Sequence, residues 1–98
     1  MAHSLKSATF LIESRIADAA RGDCNACYDL GIIYSTGASG TAIDLIEAHK
    51  WFNLAAVWGS DAAQACRSDI AEDMTAREIA EAQRQARSWL VQTGRRAA

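Results

Sequence analysis

The chain has 98 residues, half of them hydrophobic, with no proline and ten basic against twelve acidic side chains, for a net charge of -2. That length bounds one domain near the lower end of what buries its own core, and an alanine-rich, proline-free composition favours helix over sheet. Lys6, Glu13, Arg15 and Asp18 interrupt the first 23 residues, so neither a signal peptide nor a membrane span is expected, and a soluble cytoplasmic protein is the default reading.

Five helices can be read with their punctuation. The first covers about residues 5–21, opened by Ser4 and closed by Gly22, with Leu5, Ala8, Ile12, Ile16 and Ala19 forming one apolar face at three-to-four spacing. Asp23 is the expected N-cap of a second helix over residues 24–36, and Gly37 stands where a left-handed residue ends it. Ala38, Ser39 and Gly40 make a short turn. A third helix is expected over residues 42–58, opened by Thr41 with Asp44 as a weaker capping-box partner and stopped by Gly59.

This third helix is unusually apolar. At 100° per residue, Leu45, Ala48, Trp51, Phe52, Leu54, Ala55 and Trp58 spread over roughly 200°, wider than the stripe of a surface helix. A helix of that kind needs neighbours on two sides, which excludes a lone hairpin and implies a layer within a stack. Ser60 or Asp61 then caps a fourth helix over residues 62–73. Thr75 with Glu78 is a capping box for a fifth over residues 76–93, stopped by Gly94, and residues 95–98 are expected to fray.

The charge is unevenly spread. Residues 1–73 hold five basic and ten acidic side chains, whereas residues 74–98 hold five arginines against Glu78 and Glu81. Such polarity can steer an encounter without naming the partner.

Candidate chemistry is sparse. Cys24 and Cys27 share a helical face, and Cys66 with His49 could complete a Cys₃His set. Zinc, however, usually draws its second pair of ligands from another tight knuckle, which is missing, and Cys27 sits at a core position. Three cysteines without an export signal read as reduced, inert thiols, and no metal or cofactor is expected. His49 lies near Asn53 away from the apolar arc and reads as a solvated side chain. Glu72, Asp73 and Asp69 read as a solvated acidic face. No serine, histidine and acid fall in a nucleophile motif, and no glycine loop follows a strand, so catalysis is not expected. Arg77, Arg84 and Arg87 lie on one side of the last helix. Glu78 and Glu81 interleave with them and no aromatic stands ready to stack on bases, so nucleic-acid binding through this helix is the weaker reading.

The second and third helices form a unit that the fourth and fifth repeat in worn form. Ala26 and Ala63 are 37 apart, as are Gly22 and Gly59, and Trp51 and Trp89 are 38 apart. A period in the upper thirties built of two helices and a turn signals an α-solenoid. The copy lacks counterparts of Leu30, Gly31 and Tyr34, having Arg67, Ser68 and Ala71 instead. A more polar final repeat is what closes a solenoid against water. Gly31 and Ala48 would let two helix backbones approach, with Tyr34 and Phe52 filling the space beside them.

On Ala26, Leu30-Gly31, Tyr34, Gly37, Asp44, Ala48, Trp51-Phe52, Ala55-Ala56 and Gly59, the first unit resembles the Sel-one-like repeat, a relative of the tetratricopeptide repeat. The stretch from Ala48 to Ala56, with Met74-Thr75 and Glu78-Ile79-Ala80, is similar to bacterial members in particular. Gly40 stands one residue late in the turn, which points to a slightly longer loop. The resemblance implies an all-α, right-handed stack: a capping or lid helix (residues 5–22), a first repeat (23–59), a degenerate second repeat with C-terminal cap (60–94) and a tail (95–98).

It also implies a non-catalytic adaptor that binds a protein or peptide on its concave face. Carried onto matching positions, that face takes Asn25, Tyr28, Ile32 and Ser35 from one helix and Ala62, Ala65 and Asp69 from the worn copy. Two alternatives stay open: Tyr28 and Ile32 could simply pack on the lid helix, or a chain of barely two repeats could self-associate as a homodimer.

Overall fold

A computed structural model describes the backbone of residues 2–94 and the side chains of residues 8–94. Its described part is all-helical, with helices α1 (Ala2–Ala20), α2 (Cys24–Thr36), α3 (Leu45–Val57), α4 (Asp61–Ala71) and α5 (Ala76–Thr93), and a 3-10 turn over Ala38–Gly40. The expected tail, residues 95–98, lies outside the described residues.

Local chemistry sets most boundaries. The Asp23 carboxylate accepts from the backbone N–H groups of Asn25 and Ala26 at 2.9 and 3.2 Å, satisfying two donors that the start of α2 would leave orphaned. Gly37 closes α2 with φ +74°, in the left-handed region where a side chain is disfavoured. The Ser60 hydroxyl caps α4 by accepting from the Ala63 N–H at 3.1 Å. Thr75 and Glu78 form a complete capping box at the start of α5: the Glu78 N–H donates to the threonine hydroxyl at 3.1 Å and the Thr75 N–H to the glutamate at 2.8 Å.

Helix α4 ends at Ala71, two residues short of the expected 73, and two helix starts differ from the sequence expectation by three residues. Helix α1 already runs from Ala2, so Ser4 does not open it. Helix α3 begins at Leu45, three residues later than expected, and Asp44 rather than Thr41 is its N-cap, accepting from the Glu47 N–H at 3.1 Å. The Asp44 backbone is extended (φ -142°) and its N–H donates to the Tyr34 carbonyl at 2.9 Å, so residues 41–44 are drawn back along the end of α2 and cannot join a helix.

Helix α3 is the element that α2, α4 and α5 share. It supplies Ala48, Trp51, Phe52, Leu54 and Ala55 to a buried cluster that also takes Ala19 from α1, Ala26, Cys27 and Leu30 from α2, Ala63 from α4 and Ala86 from α5. Trp51 is 2 % exposed. Its indole N–H donates to Glu47 at 3.1 Å, and its ring meets Trp89 of α5 edge-on with centroids 4.9 Å apart. The broad apolar arc of α3 is therefore covered from several directions, as its width demanded.

The most extensive helix contact is between α2 and α3. A Cβ placed on Gly31 would lie 2.4 Å from the Phe52 ring, a distance no real side chain tolerates, so the missing side chain is what lets the aromatic lie flat against α2. Helices α4 and α5 each lie closer to α3 than to one another. Ser68 occupies the register of Gly31 in the second unit and is exposed.

Candidate functional site

An open groove of about 560 Å³ runs between α1, α2 and the 3-10 turn. Leu11 and Arg15 line it from α1, Tyr28, Asp29, Ile32 and Ile33 from α2, and Ala38 and Ser39 from the turn. The wall positions follow from helical periodicity: Tyr28 and Ile32 are one turn apart on α2, and Leu11 and Arg15 are one turn apart on α1. Helix α1 thus packs along α2 without closing over Tyr28 and Ile32.

Arg15 sits at the polar edge of this groove. Its guanidinium holds Asp18 at 3.2 Å within α1 and reaches Asp29 of α2 at 3.9 Å. Asp29 is about half exposed, and one distant cation leaves it free to accept further hydrogen bonds. The opposite wall is built on the core: the Tyr28 ring leans on Phe52 at 5.8 Å between centroids and a 55° tilt. The nearby Cys66 of α4, first as a hydrogen-bonding neighbour and then through its charge, raises the Tyr28 pKa above the ordinary phenol value, with burial and Asp29 adding to it.

Of the residues expected on a concave face, the structure brings Tyr28 and Ile32 into the groove. Ser35 is half-buried and its hydroxyl donates to the Ile32 carbonyl at 3.2 Å, bracing the wall from behind. Asn25 on α2 and Ala62, Ala65 and Asp69 on α4 are exposed but are not among the residues that line the groove. Leu11, Arg15, Asp29, Ile33, Ala38 and Ser39 were missed. The signal for Leu11 and Arg15 was present, because both flank the Ala8–Ile12–Ala19 stripe of α1 on one side.

His49 contradicts its expected solvation: it is 3 % exposed and its Nδ1 has no hydrogen-bond partner. It stands four residues after Leu45, three before Phe52 and seven before Ala56, so it shares their side of α3. On α4, Arg67 donates to Asn53, one turn beyond His49, at 2.5 Å. Burial first, and then the Arg67 charge, hold the His49 pKa below its ordinary value.

The cysteines are dispersed in their chemistry. Cys27 is fully buried and its pKa is pushed up to about 12, by burial first and then by Cys24 and Asp23. The Cys24 thiol donates to the Ala55 carbonyl at 3.3 Å. Among the described residues no three His, Cys, Asp or Glu side chains are grouped to hold a metal ion.

A second, smaller cleft of about 170 Å³ is lined by Lys50, Arg84, Gln85, Ser88, Trp89 and Gln92. It places an aromatic beside Arg84, which sequence spacing did not anticipate, although the Trp89 ring is engaged edge-on with Trp51. Both cations are internally compensated. Lys50 donates to Glu47 at 3.0 Å, and Arg84 forms a two-pronged contact with Glu81 at 2.9 and 2.6 Å. That contact, with a further bond from Gln85, holds the Glu81 carboxyl down at about 2.

Compared with known proteins, the chain matches no family model, no curated protein and no solved structure. No helix among the described residues is long and apolar enough to cross a membrane.

Proposed function

We propose that this chain is a non-catalytic interaction module of the Sel-one-like kind, which holds a peptide or protein partner in the groove between α1 and α2. The observation that carries the reading is the groove itself. Aliphatic walls from Leu11, Ile32 and Ile33 and the ring of Tyr28 stand beside a half-exposed carboxylate, Asp29. An open groove with apolar walls and a polar rim suits a side chain from an extended or helical peptide, with backbone or cationic groups meeting the rim. Compensation of Lys50 and Arg84 by their own glutamates weighs against phosphate binding at the smaller cleft.

The test is a pull-down from the source cell with three variants, each checked for helix content by circular dichroism. Tyr28→Ala and Ile32→Ser are expected to lose the partner, whereas Asn25→Ala, exposed and outside the groove, is expected to keep it. Recovery of the same partner by all three would remove the groove from consideration.

A further inference from the structure

The two ends of the stack carry a matched pair of features that the groove does not use. A terminal helix that meets only water is expected to present a polar outer face. Here the two most exposed large hydrophobic side chains of the described residues are Phe10, 74 % exposed on α1, and Val91, 81 % exposed on α5. Each has a charged neighbour one helical turn away on the same side: Glu13 beside Phe10, and Arg87 beside Val91. Both charged residues are exposed, and neither forms an ion pair with another described residue. The signs are opposite, and Arg84, on the same side of α5, is already held by Glu81, which leaves Arg87 as the cation nearest Val91.

We propose that the outer face of α1 docks on the outer face of α5 of a second copy of this chain, pairing Phe10 with Val91 and Glu13 with Arg87. The complementarity selects this end-to-end contact over the two symmetric ones. An α5-to-α5 dimer would face Arg87 with Arg87, and an α1-to-α1 dimer would face Glu13 with Glu13, both repulsive. Phe10 and Val91 would leave water together, and the short stack would continue through the neighbouring chain. Because the contact joins two different surfaces, it is heterologous and propagates into linear chains unless a ring closes. The groove between α1 and α2 stays open in this assembly, so the contact is independent of partner binding.

Sedimentation equilibrium from micromolar to millimolar protein tests the contact. The wild type is expected to rise with concentration from the 10.6 kDa chain mass through successive multiples of it. The association constant should fall about two- to fivefold on raising salt to roughly 0.5 M, as expected for one exposed ion pair. Phe10→Asp and Val91→Asp lie at exposed positions that folding does not need, and each alone should stay monomeric. An equimolar mixture of the two should stop at a dimer, because each variant keeps one sound end. A wild type that stays monomeric throughout overturns the proposal. So does a Val91→Asp protein that still dimerises by itself, which would reveal an α1-to-α1 contact, or a mixture of the two variants that stays monomeric.

Discussion

The α2–α3 hairpin and the α4–α5 pair follow the same plan of two helices and a turn, yet they bury very different shares of themselves. Helix α2 buries Ala26, Cys27, Leu30, Gly31 and Ile33, and α3 buries six residues along its length. Helix α4 buries Ala63, and α5 buries Ala82 and Ala86. The two alanines 37 apart, Ala26 and Ala63, are both buried, so the register survives where the packing does not. The difference traces to Leu30 and Gly31, whose counterparts are Arg67 and Ser68. A glycine against Phe52 lets two backbones close up, whereas an arginine turns α4 toward Asn53 and a polar contact. Close packing thus depends on one absent side chain in the first unit, and the second unit leans on α3 for its cohesion.

The comparison can be broken most forcefully at Phe52. Phe52→Ala should cost about 3–5 kcal/mol in urea-induced unfolding, since the ring is fully buried between α2 and α3. Ile70→Ala on the half-buried face of α4 should cost well below that, and equal losses would erase the contrast between the two units.

Gly31→Leu, which puts a branched side chain where even a Cβ meets the Phe52 ring, should cost about 1–3 kcal/mol by overpacking. Ser68→Leu, at the same register on the exposed side of α4, should stay within about 0.5 kcal/mol. An unchanged melting temperature for Gly31→Leu would count against close approach as the basis of the first unit.

Proton binding probes the seam between α3 and α4. The folded pKa of His49 is lowered, so on acidification the unfolded chain takes up a proton before the folded one. Stability is therefore unaffected well above about pH 6.5, the ordinary histidine value, and declines as pH falls below it toward the lowered folded value. Denaturation midpoints measured across that window should slope more steeply for wild type than for His49→Gln. Parallel slopes would mean that the imidazole is not held neutral.

A local effect is expected at the cap of α5. Thr75→Ala removes the hydroxyl that accepts from Glu78 and should cost about 1 kcal/mol, with hydrogen exchange rising first in the opening turn of that helix.

The caps were legible because each is a local bargain between a side chain and backbone groups two or three residues away. Asp23, Ser60, the Thr75–Glu78 box, Gly37 and Gly94 all act where the sequence places them. The close approach of Gly31 and Phe52 was legible too, since small and large residues at fixed offsets leave few alternatives. The start of α3 was not, because Thr41 and Asp44 are both competent caps, and the choice rests on the Asp44 N–H reaching the Tyr34 carbonyl across the turn. His49 was misread because a helical wheel ranks faces by their own residues and does not know which face another helix will cover. Of the seven residues assigned to a concave face, Tyr28 and Ile32 line the groove, placed by their turn of α2, but which surfaces of α1 and α4 lie beside them depends on how those helices lie.

The sequence by itself determined an all-helical chain, the ends of most helices, and an α3 too apolar to stand at a surface, because propensity, capping and burial act over a few residues. The tertiary structure alone decided that His49 is buried, that α1 leaves a groove beside Tyr28 and Ile32, and that Phe10 and Val91 end on outward faces. Those outcomes depend on how rigid helices settle against a shared neighbour, and that placement is set by the sum of all their contacts at once.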